Sequence, residues 1–421
     1  MTARATSTSP QPRSFLFLQG PLSPLYRRLA DALEGHGHAV CRVNLCFGDW
    51  LHWRRAGAVS YRGKIEDWPD VVAGIVHARG ITDVILHGDQ RPYHKAAAMA
   101  ARAAGARIIV TELGYLRPDW MTLERDATAA GSHFPRDPEG IRRLAARCSQ
   151  PDLAPRFKAS FWRVAVPDVV YNLSSTLLWF LYPHFRRHTI YFPPVEYAAW
   201  IGRLLTQSRR DARARSVVDR VVAERRATFV LPLQLEGDFQ IRAHSPFAGQ
   251  AQGLDHIVGS FATHAPSGSM LLIKSHPLDN GLERWGREIS RIAATQGVAD
   301  RVHFLDGGTL TELWPHLRGL VTINSSAGLE AVLAGVPVKT LGPAIYDVAG
   351  LTDQQPLDGF WAAPARPDGR LAADFVRALA GTVQVRGTIY SRGGLDAAVA
   401  GMVARILAND FLAPGLTAPS D

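Results

Sequence analysis

A histidine follows directly after an apolar strand in the second half of the sequence. Leu271–Lys274 predicts a buried strand, and Ser275, His276 and Pro277 come next. Pro277 cannot extend a strand ladder and disfavours helix at His276, so the strand ends there. Open α/β sheets bind ligands at this end of a strand, which makes His276 a candidate ligand contact; the alternative is a turn histidine that only caps the strand. Lys274 lies at the strand edge or faces an anion.

Two serines begin a helix further along the chain. Leu320–Ile323 predicts a strand, Ser325 and Ser326 predict an N-cap, and Gly328–Ala334 predicts the helix itself. The exposed amide groups and the positive dipole end of such a helix attract anions, and two hydroxyls suit a phosphate. The alternative is that both serines cap the helix and bind nothing.

Carboxylates are concentrated after a predicted strand in the first half. That strand delivers Glu112 at its carboxyl end, and Asp119 and Glu124 follow, together with Tyr115 and Arg117, in what we predict to be one loop. Loops at strand ends carry chemistry because a rigid sheet positions them. The alternative is a solvated acidic loop with a local arginine–aspartate pair.

Alternating strand and helix patterns predict the fold class. Ser14–Leu18 and Ala39–Asn44 predict strands on either side of a helix at Leu25–Gly35, and Ala227–Leu233 opens a second series. This pattern is typical of an α/β protein with two Rossmann-like, doubly wound domains. The predicted divisions are a disordered tail (1–13), an N-terminal Rossmann-like domain (14–205) with a membrane-proximal segment near 170–190, a C-terminal Rossmann-like domain (206–385), and a C-terminal helix and tail (386–421).

Composition narrows the class of partner. The chain has 421 residues and a net charge of +9, which indicates an anionic partner: a nucleotide sugar, a phospholipid head group or a membrane surface. No nucleic-acid-binding motif accompanies the charge, so we expect no nucleic acid. Cys41, Cys46 and Cys148 have neither metal-site spacing nor a disulfide framework, which favours the cytoplasm.

An aromatic and basic segment indicates contact with a membrane surface. Leu177–Phe185 is followed by Arg186, Arg187 and His188. Aromatic side chains prefer the head-group level, where arginines would meet anionic lipid phosphates. The alternative is a helix packed across the domain junction. The longest apolar run in this segment is too short to cross a bilayer.

Three motifs carry a resemblance to a known family. The pattern E-x-G-Y-x-R-P-x-x-x-T-x-E is matched by Glu112, Gly114, Tyr115, Arg117, Pro118, Thr122 and Glu124. The pattern P-L-Q-x-x-x-D-x-Q is matched by Pro232, Leu233, Gln234, Asp238 and Gln240. The His-Pro turn and the Ser-Ser helix start resemble the donor half of bacterial glycosyltransferases that use CMP-activated sugar acids. With these motifs the chain resembles the KpsS-type capsule polysaccharide proteins, which act as β-Kdo transferases.

The resemblance implies a fold and a reaction. It implies a GT-B-type fold whose two domains face one cleft, an N-terminal domain that binds the acceptor and a C-terminal domain that binds the CMP-sugar. It also implies transfer of Kdo from CMP-Kdo to a (lyso)phosphatidylglycerol acceptor with retention of configuration. This step would start the poly-Kdo linker of an exported capsule. It implies no metal or other cofactor, a cytoplasmic protein peripheral at the inner membrane, and partnership with other capsule synthesis proteins and an ABC exporter.

The resemblance also assigns residues. Related KpsC-type transferases carry Glu-Asp-Gly-Phe where this chain has Leu113 at the aspartate position, so Glu112 is the first candidate for the catalytic carboxylate and Glu124 the second. His276 is the third catalytic candidate. Glu330 matches a ribose-binding position, although an exposed helix glutamate needs no function. The donor candidates are Lys274, His276, Pro277, Ser325, Ser326, Glu330, Gln234 and Gln240. The acceptor candidates are Gln19, Gly20, Asp49, Tyr115 and Arg117.

Two other functions fit parts of the pattern. A nucleotide-sugar 2-epimerase shares the GT-B architecture and would also use a serine helix start, but it needs no lipid acceptor. A non-catalytic scaffold for capsule assembly would tolerate loss of His276. Polar groups at strand ends in both halves favour an enzyme.

Overall fold

The apolar runs of the sequence form two mainly parallel sheets in the computed structural model. It describes residues 12–413, except for the side chain of Gln240. The predicted tail therefore lies outside the described residues as far as position 11. The described chain divides into two compact units, each built around one sheet. The predicted α/β class with two Rossmann-like parts is confirmed.

Strands and helices alternate along most of the chain. The strands are β1 (Ser14–Phe17), β2 (Ala39–Asn44), β3 (Ala58–Ser60), β4 (Asp83–His87), β5 (Arg107–Leu113), β6 (Trp120–Arg125), β7 (Thr228–Pro232), β8 (Met270–Lys274), β9 (Val302–Leu305), β10 (Leu317–Thr322), β11 (Val338–Thr340) and β12 (Gln384–Arg386). The helices are α1 (Leu25–Gly35), α2 (Phe47–Trp53), α3 (Trp68–Ala78), α4 (Pro92–Ala103), α5 (Pro138–Ala146), α6 (Phe161–Leu177), α7 (Pro193–Glu224), α8 (Phe239–His244), α9 (Gln250–His264), α10 (Trp285–Thr295), α11 (Ser326–Leu333), α12 (Leu357–Phe360), α13 (Gly369–Thr382) and α14 (Arg392–Ala408).

Unit 1 combines Met1–Thr128, Ala154–Arg186 and Gln384–Phe411. Its strand order is β12-β6-β5-β4-β1-β2-β3, and β1 to β5 are parallel. The order β3-β2-β1-β4-β5 is that of a Rossmann half, and it reverses between β1 and β4. Apolar clusters cover both faces of the sheet, which explains why β1 is an unbroken apolar run. Ligands of such sheets bind where the order reverses.

β5 and β6 form an antiparallel hairpin where the sequence predicts one loop. Glu112 lies inside β5 and Glu124 inside β6. The loop prediction is wrong because Met121 and Leu123 alternate with polar residues and pack into the core, which makes this segment a strand. Glu124 lies opposite Val110. The two glutamates are therefore diagonal neighbours on one face of the sheet.

Unit 2 combines Ala129–Leu153, Arg187–Val383 and Leu412–Asp421. Its strand order is β11-β10-β7-β8-β9, with all pairs parallel. This order is again that of a Rossmann half, and it reverses between β7 and β10. One apolar cluster of this unit includes Phe229 and Trp361, whose rings pack edge to face.

The division into units differs from the predicted domains at three places. Ala129–Leu153 lies within the predicted N-terminal domain but belongs to unit 2. α7 is one helix of 32 residues, and the division falls before it, at Arg186, whereas the sequence predicts a boundary at 205. Arg203 in α7 binds Asp306 after β9, which ties this part of the helix to unit 2. The segment from 386 onward does not stand apart, because β12 pairs with β6 and α14 packs against α1 in unit 1.

Candidate functional site

Gln234 joins two loops at the reversal point of the unit 2 sheet. It follows β7, and its Nε2 donates to Asn324 Oδ1, after β10, at 3.0 Å and to Asp238 Oδ2 at 3.2 Å. Its backbone N–H donates to Gln250 Oε1 at 2.6 Å. Both amide hydrogens of Gln234 are thus used in holding the loops. Gln240 lies in α8, and its side chain is outside the described part of the structure.

The His276 turn follows β8, which pairs directly with β7. His276 is partly exposed and Pro277 is exposed. The backbone N–H of Leu278 donates to His276 Nδ1 at 3.0 Å. Since Nδ1 accepts this bond, the hydrogen of the neutral ring lies on Nε2. This N–H group lies at the carboxyl end of the sheet, and anion contact by His276 stays a prediction.

A charged network fixes the start of this turn. Asp306, after β9, receives hydrogen bonds of 2.9 and 2.8 Å from the guanidinium of Arg203. Ser275 Oγ donates to the same carboxylate at 3.1 Å. Burial alone would raise the pKa of the Asp306 carboxyl, but the hydrogen bonds and charge of Arg203 lower it below its usual range. The ionised carboxylate therefore holds Ser275, next to His276, in place.

Lys274 is the last residue of β8, which lies between β7 and β9 in the interior of the sheet. The side chain is buried, and Nζ donates to the carbonyl oxygen of Ser275 at 3.2 Å. Burial lowers the pKa of the ammonium group, and the carboxylates of Asp306 and Asp211 partly offset this effect. Anion binding by Lys274 stays a prediction.

The serine helix start forms as predicted. Ser325 is the N-cap of α11, and its Oγ accepts a hydrogen bond from the backbone N–H of Ala327 at 3.3 Å. Ser326 and Glu330 are both exposed. The start of α11 follows β10, beside the reversal point of the sheet. This helix end combines an exposed hydroxyl with a positive dipole, which suits a phosphate.

In unit 1 the two candidate glutamates differ in exposure. Glu124 is only 3% exposed, and its Oε1 accepts a hydrogen bond from Tyr115 OH at 3.0 Å. Glu112 is partly exposed, and its Oε2 accepts from Thr128 Oγ1 at 2.9 Å. Glu112 is therefore more accessible to solvent, whereas the hydrogen bond between Glu124 and Tyr115 fixes the positions of both side chains. Arg117 is exposed in the turn between the two strands.

The other acceptor candidates belong to a buried region at the ends of β1 and β2. Asp49 Oδ2 accepts from Gln19 Nε2 at 3.0 Å, and Oδ1 accepts from Tyr171 OH at 3.1 Å. Arg42 Nη2 lies 3.4 Å from the same carboxylate. Gly20 leaves room for the ring of a tyrosine in α1, 2.8 Å from where a Cβ would stand. Asp49 thus holds this network together, and acceptor contact by Asp49, Gln19 or Gly20 stays a prediction.

The sequence predictions missed a polar chain at the end of β4. His87 Nδ1 lies 3.0 Å from Thr111 Oγ1, which lies 2.8 Å from Tyr26 OH. The backbone N–H of His87 donates to the carbonyl of Gln19 at 3.3 Å, between β4 and β1. His87 thus marks the reversal point of the unit 1 sheet. The signal that could have found it is the one used for His276, a histidine that ends an apolar strand.

Burial makes His87 a source of acid sensitivity. Burial, together with the charge of Arg91, lowers the pKa of His87 to about 3. In the unfolded chain a histidine titrates near pH 6.5, so between about pH 6.5 and 3 the unfolded state binds a proton that the folded state excludes. His87 therefore contributes stability above pH 6.5 that is lost as the pH falls through this window.

We expect His87→Gln to lose less stability than the wild type between pH 7 and pH 5. The measurement is the free energy of urea unfolding at both pH values. Replacing the exposed His36 with glutamine removes the same residue type and should leave the wild-type difference unchanged. A loss in His87→Gln equal to that of the wild type would show that this histidine does not titrate as its burial requires.

Exposed apolar side chains line α6 and the short turn after it. Phe161 and Trp162 are 63% and 70% exposed, and Leu177, Trp179 and Phe180 are exposed as well. The exposed basic residues Arg156, Lys158 and Arg163 surround the aromatic pair at the start of the helix. Membrane contact by the predicted segment near 170–190 stays a prediction.

Two further properties concern membranes and metals. Over residues 12–413, no helix is both long and apolar enough to span a bilayer. In the same part of the chain, no three or more histidine, cysteine or acidic side chains gather in a way that would hold a metal ion. The absence of a metal or other cofactor from the reaction stays a prediction.

Comparison with known proteins points to one family. The family model described as "Capsule polysaccharide biosynthesis protein" matches residues 82–390. The chain is 30% identical over 387 residues to the capsule polysaccharide export protein KpsS of Escherichia coli, covering 90% of this chain and 97% of that protein. It is 31% identical over 385 residues to the capsule polysaccharide modification protein LipB of Neisseria meningitidis serogroup A, covering 90% and 92%.

One solved structure is similar to this chain, at a lower sequence identity than these two relatives. It is that of the Thermosulfurimonas dismutans protein KpsC, described as a beta Kdo 2,7 transferase. The match has a TM-score of 0.44 and 14% identity, and it covers 93% of this chain and 99% of that one. A similarity of this size supports no inference about substrate.

Proposed function

Because this chain belongs to the capsule polysaccharide biosynthesis family, we propose that it is a glycosyltransferase that founds the lipid-linked end of a capsular polysaccharide. The finer form of the proposal is transfer of Kdo from CMP-Kdo to (lyso)phosphatidylglycerol with retention of configuration. Its support is the KpsS-type motif set together with 30% identity to KpsS over most of both chains. The donor binds unit 2, and the acceptor binds unit 1.

The observation that carries the proposal is the position of the His276 turn and of the serine helix start in unit 2. His276 presents Nε2–H after β8, and Ser325 and Ser326 open α11 after β10. Both lie at the carboxyl edge of the sheet, beside the reversal point. A departing CMP phosphate develops negative charge, and preorganised donors at that position stabilise it.

The reaction then needs a carboxylate in unit 1. In the first step, Glu112 attacks the anomeric carbon, and the bond to CMP breaks with its electron pair leaving on the phosphate oxygen. In the second step, an acceptor hydroxyl attacks the same carbon, displaces Glu112, and gives its proton to a base. Two inversions retain the original configuration, as in retaining glycosidases. Glu124 is the second candidate for the nucleophile.

Dependence of donor cleavage on the acceptor tests the proposal. The protein is incubated with CMP-Kdo, and release of CMP is followed with and without lysophosphatidylglycerol. We expect release that requires the lipid. Conversion of a nucleotide sugar to its epimer without any lipid would replace this function with that of a 2-epimerase.

We propose that the protein works at the inner-membrane surface, on its cytoplasmic side, because its proposed acceptor is a phospholipid. The exposed side chains of α6 suit a bilayer that contains anionic lipid, because basic side chains flank the aromatic residues of this helix. Aromatic rings at the head-group level and arginines at lipid phosphates are the usual form of such contacts. Other capsule synthesis and ABC-export proteins are proposed partners at the same membrane.

We expect Trp162→Ala to weaken binding to phosphatidylglycerol-containing vesicles by about 10- to 100-fold. The reason is that burying a large apolar side chain contributes about 1.5–3 kcal/mol. Vesicle co-sedimentation at low salt measures the effect. Met99→Ala, on a side chain that is 65% exposed in α4, is the control and should bind like the wild type. Equal binding by all three proteins would place the contact elsewhere.

A further inference from the structure

The reversal point of the unit 1 sheet carries a positive charge that no predicted site residue accounts for. Arg91 is the N-cap of α4, the 12-residue helix that follows β4. It is partly buried, and within residues 12–413 its guanidinium has no ion pair or hydrogen bond. Partly buried arginines are ordinarily paired, so an unpaired one at a ligand-binding edge indicates an anion.

Three buried groups show where the charge of Arg91 lies. Burial raises the pKa values of Tyr26 and Tyr171, and the charge of Arg91 partly offsets the rise in both. Burial lowers the pKa of His87, and Arg91 lowers it further. Arg91 Nε also lies 3.9 Å from where a Cβ on Gly88 would stand. The guanidinium is therefore held over the ends of β1 and β4.

His87 supplies a second, independent group at the same place. It is 9% exposed, and its Nδ1 is held by Thr111 Oγ1 at 3.0 Å. Thr111 Oγ1 also lies 2.8 Å from Tyr26 OH and 3.5 Å from the carbonyl oxygen of Leu86. When Thr111 donates to His87 Nδ1, the ring hydrogen lies on Nε2, for which the described residues offer no partner. In that tautomer His87 presents an N–H donor at the reversal point.

The loop between these two groups is held rigidly. Gly88 has a φ of +72°, a left-handed conformation that glycine adopts without strain. Its backbone N–H donates to the carbonyl of Thr111 at 3.0 Å, and its carbonyl oxygen lies 2.7 Å from His94 Nδ1. Asp89 in the same loop accepts a hydrogen bond from Gln90 Nε2 at 3.1 Å. The two donors are consequently preorganised.

We infer that Arg91 and His87 form an anion site for the phosphodiester of the acceptor, with the start of α4 contributing its dipole. A guanidinium and a neutral N–H donor match the oxygens of a phosphodiester, and a helix start favours negative charge. The inference rests on the proposed function for the identity of the ligand, since the donor's phosphate has the same chemistry. It makes Arg91 and His87 residues that select a phospholipid over an uncharged lipid.

Binding without turnover tests the site. Dissociation constants of the full-length protein are measured for a short-chain lysophosphatidylglycerol, for the monoacylglycerol of the same chain length, and for CMP. We expect Arg91→Gln to weaken lysophosphatidylglycerol binding by about 10- to 100-fold, because a charge-assisted hydrogen bond is lost. Monoacylglycerol and CMP should bind as they do to the wild type.

Two variants serve as controls. Arg27→Gln removes an exposed arginine from α1 of the same unit and should change none of the three constants. Arg91→Lys keeps the charge and should restore part of the affinity. Arg91→Lys also keeps the test decisive if the glutamine variant fails to fold, because loss of the bidentate guanidinium should still weaken lysophosphatidylglycerol binding several-fold.

The outcomes separate this inference from the proposed function. Weaker CMP binding with unchanged lipid binding would assign the site to the nucleotide and overturn the inference. The inference would also be overturned if none of the three dissociation constants changed. If the wild type transfers the sugar and Arg91→Gln keeps the wild-type KM for the acceptor, the function stands and the inference falls. If Arg91 is needed for lysophosphatidylglycerol binding but no sugar is transferred, the inference stands and the function falls.

Discussion

Glu112→Gln should reduce sugar transfer by at least about 10³-fold while leaving the protein folded. A neutral amide cannot attack the anomeric carbon, and loss of a central catalytic group typically costs this much or more. The amide oxygen can still accept the hydrogen bond from Thr128, so the hairpin should keep its structure. The measurement is kcat at saturating CMP-Kdo, with thermal unfolding as the check on folding.

Glu124→Gln is the matched variant, because both glutamates lie on the same face of the same hairpin. Glu124 is buried, and the amide oxygen of the variant can still accept the hydrogen bond from Tyr115, so Glu124→Gln should stay folded and reduce kcat less. The opposite order, with an active Glu112 variant and an inactive Glu124 variant, would move the nucleophile to Glu124. Full activity of both variants would show that neither glutamate is the nucleophile.

Asp49→Ala should destabilise unit 1 by about 3–5 kcal/mol, the largest stability effect we predict. The side chains of Asp49 and Arg42 are 2% and 3% exposed, so removing the carboxylate leaves a buried arginine charge without its partner. The same change strands the donors of Gln19 and Tyr171. Urea unfolding followed by tryptophan fluorescence measures the loss.

The control for this prediction is an ion pair at the surface of the same unit. Asp396 pairs with Arg28 at 2.5 Å, but their side chains are 50% and 37% exposed. Asp396→Ala should therefore change the unfolding free energy by less than about 1 kcal/mol. Similar losses in the two variants would show that the Asp49 network adds nothing beyond an ordinary surface pair.

Much of the fold could be predicted because apolar periodicity and turn residues are local signals. The strand ending at His276 and the cap at Ser325 both follow from adjacent residues. The hairpin was harder to predict, because its charged residues indicate a loop and only Met121 and Leu123 show the apolar alternation of a strand. A strand at that place becomes clear only once the core that these two side chains enter is known.

The roles of single polar residues depended on distant partners. Asp49 looks like a site residue beside a glycine-containing loop, but its partner Tyr171 comes from a helix more than a hundred residues away. Likewise, Gln234 meets Asn324 across the sheet. Local sequence does not reveal such pairings, which is why the elements could be predicted and the partners of these side chains could not.

The mass of the lipid product tests the central claim most directly. The wild type and His276→Ala are each incubated with CMP-Kdo and lysophosphatidylglycerol, and the lipid is analysed by mass spectrometry. We predict that the wild type adds one Kdo residue to the lipid and that the variant adds almost none. An unchanged lipid alongside intact CMP-Kdo, or equal yields from the two proteins, would contradict the assignment of a Kdo transferase with its donor site at His276.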